Sequence, residues 1–155
     1  MNVFDILGPV MIGPSSSHTA GAARIGRITL ALLGAPAVKA DIFLHGSFAK
    51  TYKGHGTDKA LIAGIMGMST DDSRIRRAPE LAREQGLAVT ITTGDIDGAH
   101  PNTARVALTD ADGNRVSLLG SSIGGGNILV TEVNGMEVSI TGQHTCLLYT
   151  SDAAD

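Results

Sequence analysis

Tryptophan is absent from this 155-residue chain, cysteine occurs once and aromatic residues amount to 3%. The lone Cys146 excludes an internal disulfide and any cysteine-only zinc or iron–sulfur site held by this chain alone. With so few rings, the core has to be built from small and aliphatic side chains. A dominant charge is also missing. Twelve basic against 15 acidic residues leave a net −3 with the five histidines neutral, which gives no basic field for nucleic acid or an anionic membrane. No apolar run reaches the length of a bilayer-crossing helix, and Met1–Asp5 lacks the basic start of a secretory signal. A cytoplasmic setting is expected, with neither nucleic acid nor membrane as partner.

Glycine is abundant, at 20 residues, and 43% of the chain is hydrophobic against 17% charged. That is enough apolar surface for one buried core and much backbone free to bend in loops. The balance favours an α/β scaffold that handles a ligand.

Along the chain, Gly13-Pro14 and three serines form a loop that feeds a helix. Its periodic Ala20, Ala23, Ile25, Ile28 and Leu32 run to a stop at Gly34-Ala35-Pro36. Val38–Leu44 reads as a strand. Gly54–Asp58 is a second glycine-flanked turn, with Thr57 or Asp58 placed to cap a helix through Leu61, Ile62 and Ile65. Asp71–Gln85 suggests a third helix, in which Pro79 demands a kink or a late start. From Leu87 the period changes to two. Leu87–Thr93, Ala104–Thr109, Val116–Leu119, Ile128–Val133 and Met136–Ile140 read as strands, and the turn dipeptides Asp112-Gly113 and Asn134-Gly135 join antiparallel neighbours. The expected fold is α/β (α+β): a mixed, partly antiparallel sheet with packed helices.

Four clusters have the composition for chemistry. Gly13-Pro-Ser-Ser-Ser-His18-Thr19 puts hydroxyls, free backbone N–H groups and an imidazole at a helix N-terminus, a preformed place for a carboxylate or phosphate. A plain serine cap with a solvated His18 fits the same pattern. Lys53-Gly-His55-Gly-Thr57-Asp58 sets an imidazole between glycines, fit for acid/base work with Asp58 near it, and equally reads as a capped glycine turn. It has neither the remaining Rossmann glycines nor a Walker lysine. Ala99-His100-Pro-Asn102-Thr103 gathers groups that can hold both ends of an amino acid, or forms an ordinary polar turn. Ser121–Asn127, with three glycines, reads mainly as a structural turn that can line a pocket. His45 and His144 read as satisfied polar residues, Phe43, Phe48 and Tyr52 as packing residues, and Met66 and Met68 as core.

Taken in order, Phe4–Pro9 running into the SSSHT loop, Gly46-Ser-Phe-Ala49 with Lys53–Asp58, His100–Thr103 and Ser122–Gly126 resemble the β chain of bacterial iron–sulfur-dependent L-serine dehydratase, along about Asn2–Thr145. The resemblance implies deamination of L-serine to pyruvate and ammonia, together with an α chain whose cysteines hold a [4Fe-4S] cluster. This chain itself would hold no metal. It also implies that Ser15, Ser16, Ser17 and Thr19, with Lys53, Thr57 and Asp58, hold substrate, and that His18 and His55 transfer protons. His100, Asn102 and Thr103 match a serine-responsive regulatory motif. The runner-up reading is a non-catalytic domain that senses serine or another small anion. An oligomer is expected.

The segment Cys146–Asp155 breaks the strand alternation and resembles an in-frame translation of a transposon adapter used in sequencing libraries. It is expected to be non-native and without function, so that residues 1–145 form the serine dehydratase β domain of a longer natural chain. Such β chains continue into a small ACT regulatory domain. That domain is expected to be absent here, since nothing after Thr145 resembles one.

Overall fold

The structure, a computed structural model, describes residues 16–141, and within them not the side chains of residues 16–18 and 54–55. The elements in order are α1 (Ser16–Leu33), β1 (Ala37–His45), α2 (Gly46–His55), α3 (Thr57–Ile65), a short 3-10 helix (Ser73–Arg77), α4 (Ala78–Glu84), β2 (Ala88–Gly94), β3 (Asn102–Asp110), β4 (Arg115–Gly124), β5 (Asn127–Val133) and β6 (Met136–Thr141). The strands form one six-stranded sheet in the order β2-β1-β3-β4-β5-β6. Only β1 and β2 pair in parallel, and the other four pairings are antiparallel. A parallel neighbour needs a long crossover, and α2, α3 and α4 supply it. The mixed sheet with packed helices is as expected.

Alternation sorts each strand between two faces. Ala40, Ile42 and Leu44 of β1, Ala104, Val106 and Leu108 of β3, Val116 and Leu118 of β4, and Ile128 and Val130 of β5 are all buried in one core. Helix α1 lies across β3, β4 and β5 and packs beside α3, while α2 rests on β3 and α4 on β2. Ile25, Leu61, Ile65 and Phe48 complete the core from the helices. The aliphatic, ring-poor core is the one the composition demands.

One helix lies where none is expected, one makes the late start that Pro79 demands, and two expectations are corrected. Residues 46–55, which carry no strong apolar period, form helix α2. The expected helix over 71–85 is a 3-10 turn followed by α4, which starts only at Ala78 with Pro79 in its first turn, where proline's missing N–H costs nothing. Neither Thr57 nor Asp58 caps α3: the N-cap is Gly56, at φ 73°, and no side chain caps it. That same left-handed glycine closes α2, so one residue turns the chain between two helices, a conformation only glycine adopts without strain. Lastly, Ser121 and Ser122 are not in a turn. Strand β4 runs on to Gly124, and only Gly125 and Gly126 remain for the hairpin to β5.

The Asp112-Gly113 hairpin is held by one carboxylate. Asp110 accepts from the backbone N–H of Asp112 (2.9 Å) and Asn114 (2.8 Å) and from the Asn114 side-chain amide (3.0 Å). The Asn114 side chain, with these N–H groups, holds the Asp110 carboxyl below the usual carboxylate range. A lowered folded-state pKa stabilises the fold above the unfolded value and stops doing so as pH falls through the folded one. Thermal stability is therefore expected to fall on acidification below the ordinary aspartate range. In Asp110→Asn this part of the acid limb should flatten, as melting curves across pH would show.

Candidate active site

One end of the sheet collects the sequence clusters. Across it, Gly94 of β2 pairs with His45 of β1, His45 with Thr103 of β3, Thr103 with Ser121 of β4, and Ser121 with Leu129 of β5. Helix α2 starts at this end. Gly46 bridges to Asn102, and the Ser47 N–H donates to the Pro101 carbonyl at 2.7 Å. A Cβ on Gly46 would lie 2.5 Å from that carbonyl oxygen, so the His100–Thr103 loop and the Gly46–Ala49 motif are locked together by backbone.

Helix α1 enters from the same end. A Cβ on Gly21 would collide with the Ser122 side chain, and one on Gly126 would sit 3.3 Å from the Ala20 Cβ. The first turns of α1, which carry Ser16, Ser17, His18 and Thr19, are thereby seated against the end of β4 and its glycine hairpin. Further along, Gly26 meets Leu61 and Ile65, Gly64 meets Ala23 and Arg27, and Gly67 approaches Leu30. The residues at and just past the end of α3, Ile65 to Gly67, thus lie beside Leu30 near the end of α1, with Ile65 and Met66 lining one cavity with Leu30, Ala31 and Gly34, so α1 and α3 run parallel. The start of α1 and the start of α3 therefore lie at one end, and with α3 come the residues just before it, His55 and Gly56.

Two orphan hydroxyls mark that end. Thr19 is 2% exposed and Thr57 0% exposed, and neither side-chain oxygen has a hydrogen-bond partner. Buried hydroxyls are normally paired, and leaving one unpaired costs about 1–3 kcal/mol. Both stand at the starts of helices, where the dipole favours an anion. The arrangement suits a small carboxylate.

The other expected site residues are placed as follows. Ser15 lies outside the described residues, and so do the side chains of Ser16, Ser17, His18 and His55; their backbones stand in the first turn of α1 and at the end of α2. Lys53 is exposed, its Nζ 5.8 Å from the centre of the Tyr52 ring. Asp58 accepts from the Lys59 backbone N–H at 2.8 Å. His45 is a satisfied polar residue, its Nδ1 accepting from the Ile96 N–H at 2.9 Å.

His100, Asn102 and Thr103 are brought together, and partly used up. The His100 Nδ1 accepts from the Asn102 N–H (3.0 Å), and the Thr103 hydroxyl donates to the His100 carbonyl (2.6 Å) and lies 2.7 Å from the Ser121 hydroxyl. The Asn102 side-chain oxygen is buried without a partner. His100, Thr103 and Ser121 line a cavity of about 660 Å³, closed on its other sides by Ile96–Ala99, Leu119, Leu129 and Glu132. Thr103 and Ser121 alternate with the core-facing Ala104 and Gly120, so this cavity opens on the sheet face away from the helices. Ser121 lines this pocket from within strand β4, and not from the turn its glycine-rich surroundings suggest.

No grouping of three His, Cys, Asp or Glu able to hold a metal occurs among the described residues. The described residues, which include no cysteine, do not provide ligands for an iron–sulfur cluster. No described helix is long and apolar enough to cross a membrane.

The family model of the serine dehydratase beta chain matches residues 2–97. The chain is 49% identical over 147 residues to the probable L-serine dehydratase beta chain of Bacillus subtilis, covering 95% of this chain and 66% of that one. To the L-serine dehydratase beta chain of Peptoniphilus asaccharolyticus it is 40% identical over 148 residues, covering 95% and 67%. An L-serine dehydratase of Mycobacterium bovis is 32% identical over 171 residues, matching 94% of this chain and 36% of its own length. The chain thus spans about two thirds of the length of the two beta chains. On the matched motifs and the end of the sheet where they meet, this chain belongs to the serine dehydratase beta chain family.

Proposed function

We propose that residues 1–145 act as the β subunit of an L-serine dehydratase, giving substrate-binding and proton-transfer groups to a site completed by an α chain. The observation that carries this reading is the pair of buried, unpartnered hydroxyls of Thr19 and Thr57 at the adjoining starts of two parallel helices. Membership in the family supplies serine as the substrate, and serine's carboxylate is the anion such an end accepts. The [4Fe-4S] cluster implied by the resemblance is assigned to the α chain, where it would supply an electrophile. The assembly is taken to be a cytoplasmic oligomer.

The reaction has to remove the Cα proton of serine and lose its hydroxyl as water. The resulting aminoacrylate tautomerises to an imine, which water hydrolyses to pyruvate and ammonia. Proton removal and proton donation to the leaving oxygen call for a base and an acid held together. His18 and His55 fill these roles between them, on segments that the parallel packing of α1 and α3 brings to one end. Thr19 and Thr57, with Ser15–Ser17, hold the carboxylate while Lys53 and Asp58 border the loop. The direct test is an oxygen-free mixture with the cluster-bearing α chain. Pyruvate should form from L-serine only when both chains are present, and a mixture that stays inactive with an intact cluster contradicts the proposal.

Thr57→Val separates a ligand-holding hydroxyl from a structural one. The change keeps the shape and removes an unpaired buried oxygen, so the melting temperature should hold or rise. The KM for serine is expected to rise by about tenfold, the scale of losing one hydrogen bond to a charged group. A KM that stays at the parent value means that the hydroxyl does not touch substrate.

A second reading is favoured by the cavity beside His100 and Thr103. There the chain would sense serine or another small anion instead of processing it, or regulate the enzyme from a separate site. Calorimetry should then show serine binding to the isolated chain that is lost in His100→Ala and kept in His55→Ala.

A further inference from the structure

We infer that Gly26 and Gly64 are positioning residues, whose backbone-to-backbone contact sets the spacing between the His18 and His55 segments; the inference rests on the catalytic reading just given. A Cβ on Gly26 would fall 2.5 Å from the Leu61 carbonyl oxygen and 2.9 Å from the Ile65 nitrogen. One on Gly64 would run into the Ala23 carbonyl and lie 3.0 Å from the Arg27 nitrogen. The opposing atoms are main chain, so no side-chain rotation relieves the clash. For Gly26 alone, the Leu61 carbonyl would have to retreat by about 0.9 Å to reach the 3.4 Å of ordinary contact. Alanine favours a helix interior over glycine. What two facing glycines supply is therefore a short interhelical distance and not helix stability.

The direction in which a longer distance would act is fixed by the surroundings. On its other flank α1 is stopped by Ser122 against Gly21 and by the Gly126 hairpin against Ala20. The displacement thus falls on α3 and on the His55–Thr57 segment leading into it. That is the end at which the Thr19 and Thr57 hydroxyls lie buried without partners, an independent mark of a ligand there. A misplacement of about 1 Å at a reacting centre can lower a rate by about 10²-fold.

The test uses the enzyme assembled with its α chain. Gly64→Ala is expected to lower kcat by about 10²-fold while KM for serine changes far less. Leu108→Ala, a deletion in the same core on β3, serves as the control: it should lower the melting temperature at least as much and leave kcat near the parent value. Gly26→Ala repeats the experiment with the milder clash should Gly64→Ala not fold. Spin labels on cysteines placed by His18→Cys and His55→Cys, with Cys146→Ser, should give a longer or broader distance once Gly64→Ala is added. This readout does not depend on activity, so it still decides the spacing if His18→Ala and His55→Ala leave the rate unchanged and the catalytic reading fails. A parent-like kcat in Gly64→Ala, an equal kcat loss in Leu108→Ala, or an unmoved label distance overturns the inference. So does failure of both glycine variants to fold, which would assign the contact to folding alone.

Discussion

Alanine at His18 or at His55 is expected to lower the rate of pyruvate formation by the assembled enzyme by about 10²-fold or more, the scale of losing a general acid or base. The expectation follows from the backbone. His18 stands in the first turn of α1 and His55 at the end of α2, one residue before the left-handed Gly56 that opens α3. The parallel packing of α1 with α3 brings both to the same end as Thr19 and Thr57. Groups that serve one step do not lose rate additively. The double variant should therefore be little worse than the poorer single one, and single-turnover assays on all three measure it. Independent, multiplying losses would mean that the two imidazoles serve separate steps.

Phe48→Ala is expected to cost about 3–5 kcal/mol, the range for emptying a fully buried aromatic position. Phe48 is 0% exposed and is the largest wholly buried side chain among the described residues. Helix α2 has little else: Ala49 and Tyr52 are only partly buried against the core, and the rest of its face is polar. One ring thus docks the segment that carries Lys53 and His55. The melting temperature should fall by about 10 °C or more in consequence, and kcat should fall with it even at temperatures where the rest of the chain stays folded. Calorimetry and rate measurements on the same preparation give both numbers. A stable protein with a parent-like rate would show that α2 is held by something other than Phe48.

The same helix explains what the sequence conceals. Its ten residues, from Gly46 to His55, include two glycines and two lysines and show one strong apolar anchor, too little for a 3.6-residue period to stand out. The packing of Phe48 decides the matter, and packing is not local information. Strand β4 is hidden for a related reason. Gly120, Ser121 and Ser122 are poor strand formers, yet they pair with β3 and β5 because α1 needs small residues beneath Ile25 and Gly21. By contrast, the Gly34 stop of α1, the Asn134-Gly135 hairpin and the strands of the second half are written in turn chemistry and alternation, which act over a few residues.

Of the site, the residue types were legible and their assembly was not. Serine, threonine and histidine at helix starts announce an anion site and proton transfer wherever they occur. That Thr19 and Thr57 end up buried at one end follows from the parallel packing of α1 with α3, whose close contact at Gly26 and Gly64 lies several residues along each helix. His100 and Thr103 are close in sequence, but their neighbour Ser121 comes from the next strand, and only the sheet order brings it to them. The cavity they line opens on the sheet face away from the helices, a separation that no one-dimensional pattern records.

The account stands most directly on where serine binds in the complete assembly. In a structure of this chain with its α chain and serine or an unreactive analogue, the Thr19 and Thr57 hydroxyls should meet the ligand's carboxylate. Both imidazoles, of His18 and His55, should come within about 3.2 Å of it or reach it through one water. A ligand bound in the assembled site with both rings turned away and both hydroxyls still unpartnered would contradict it.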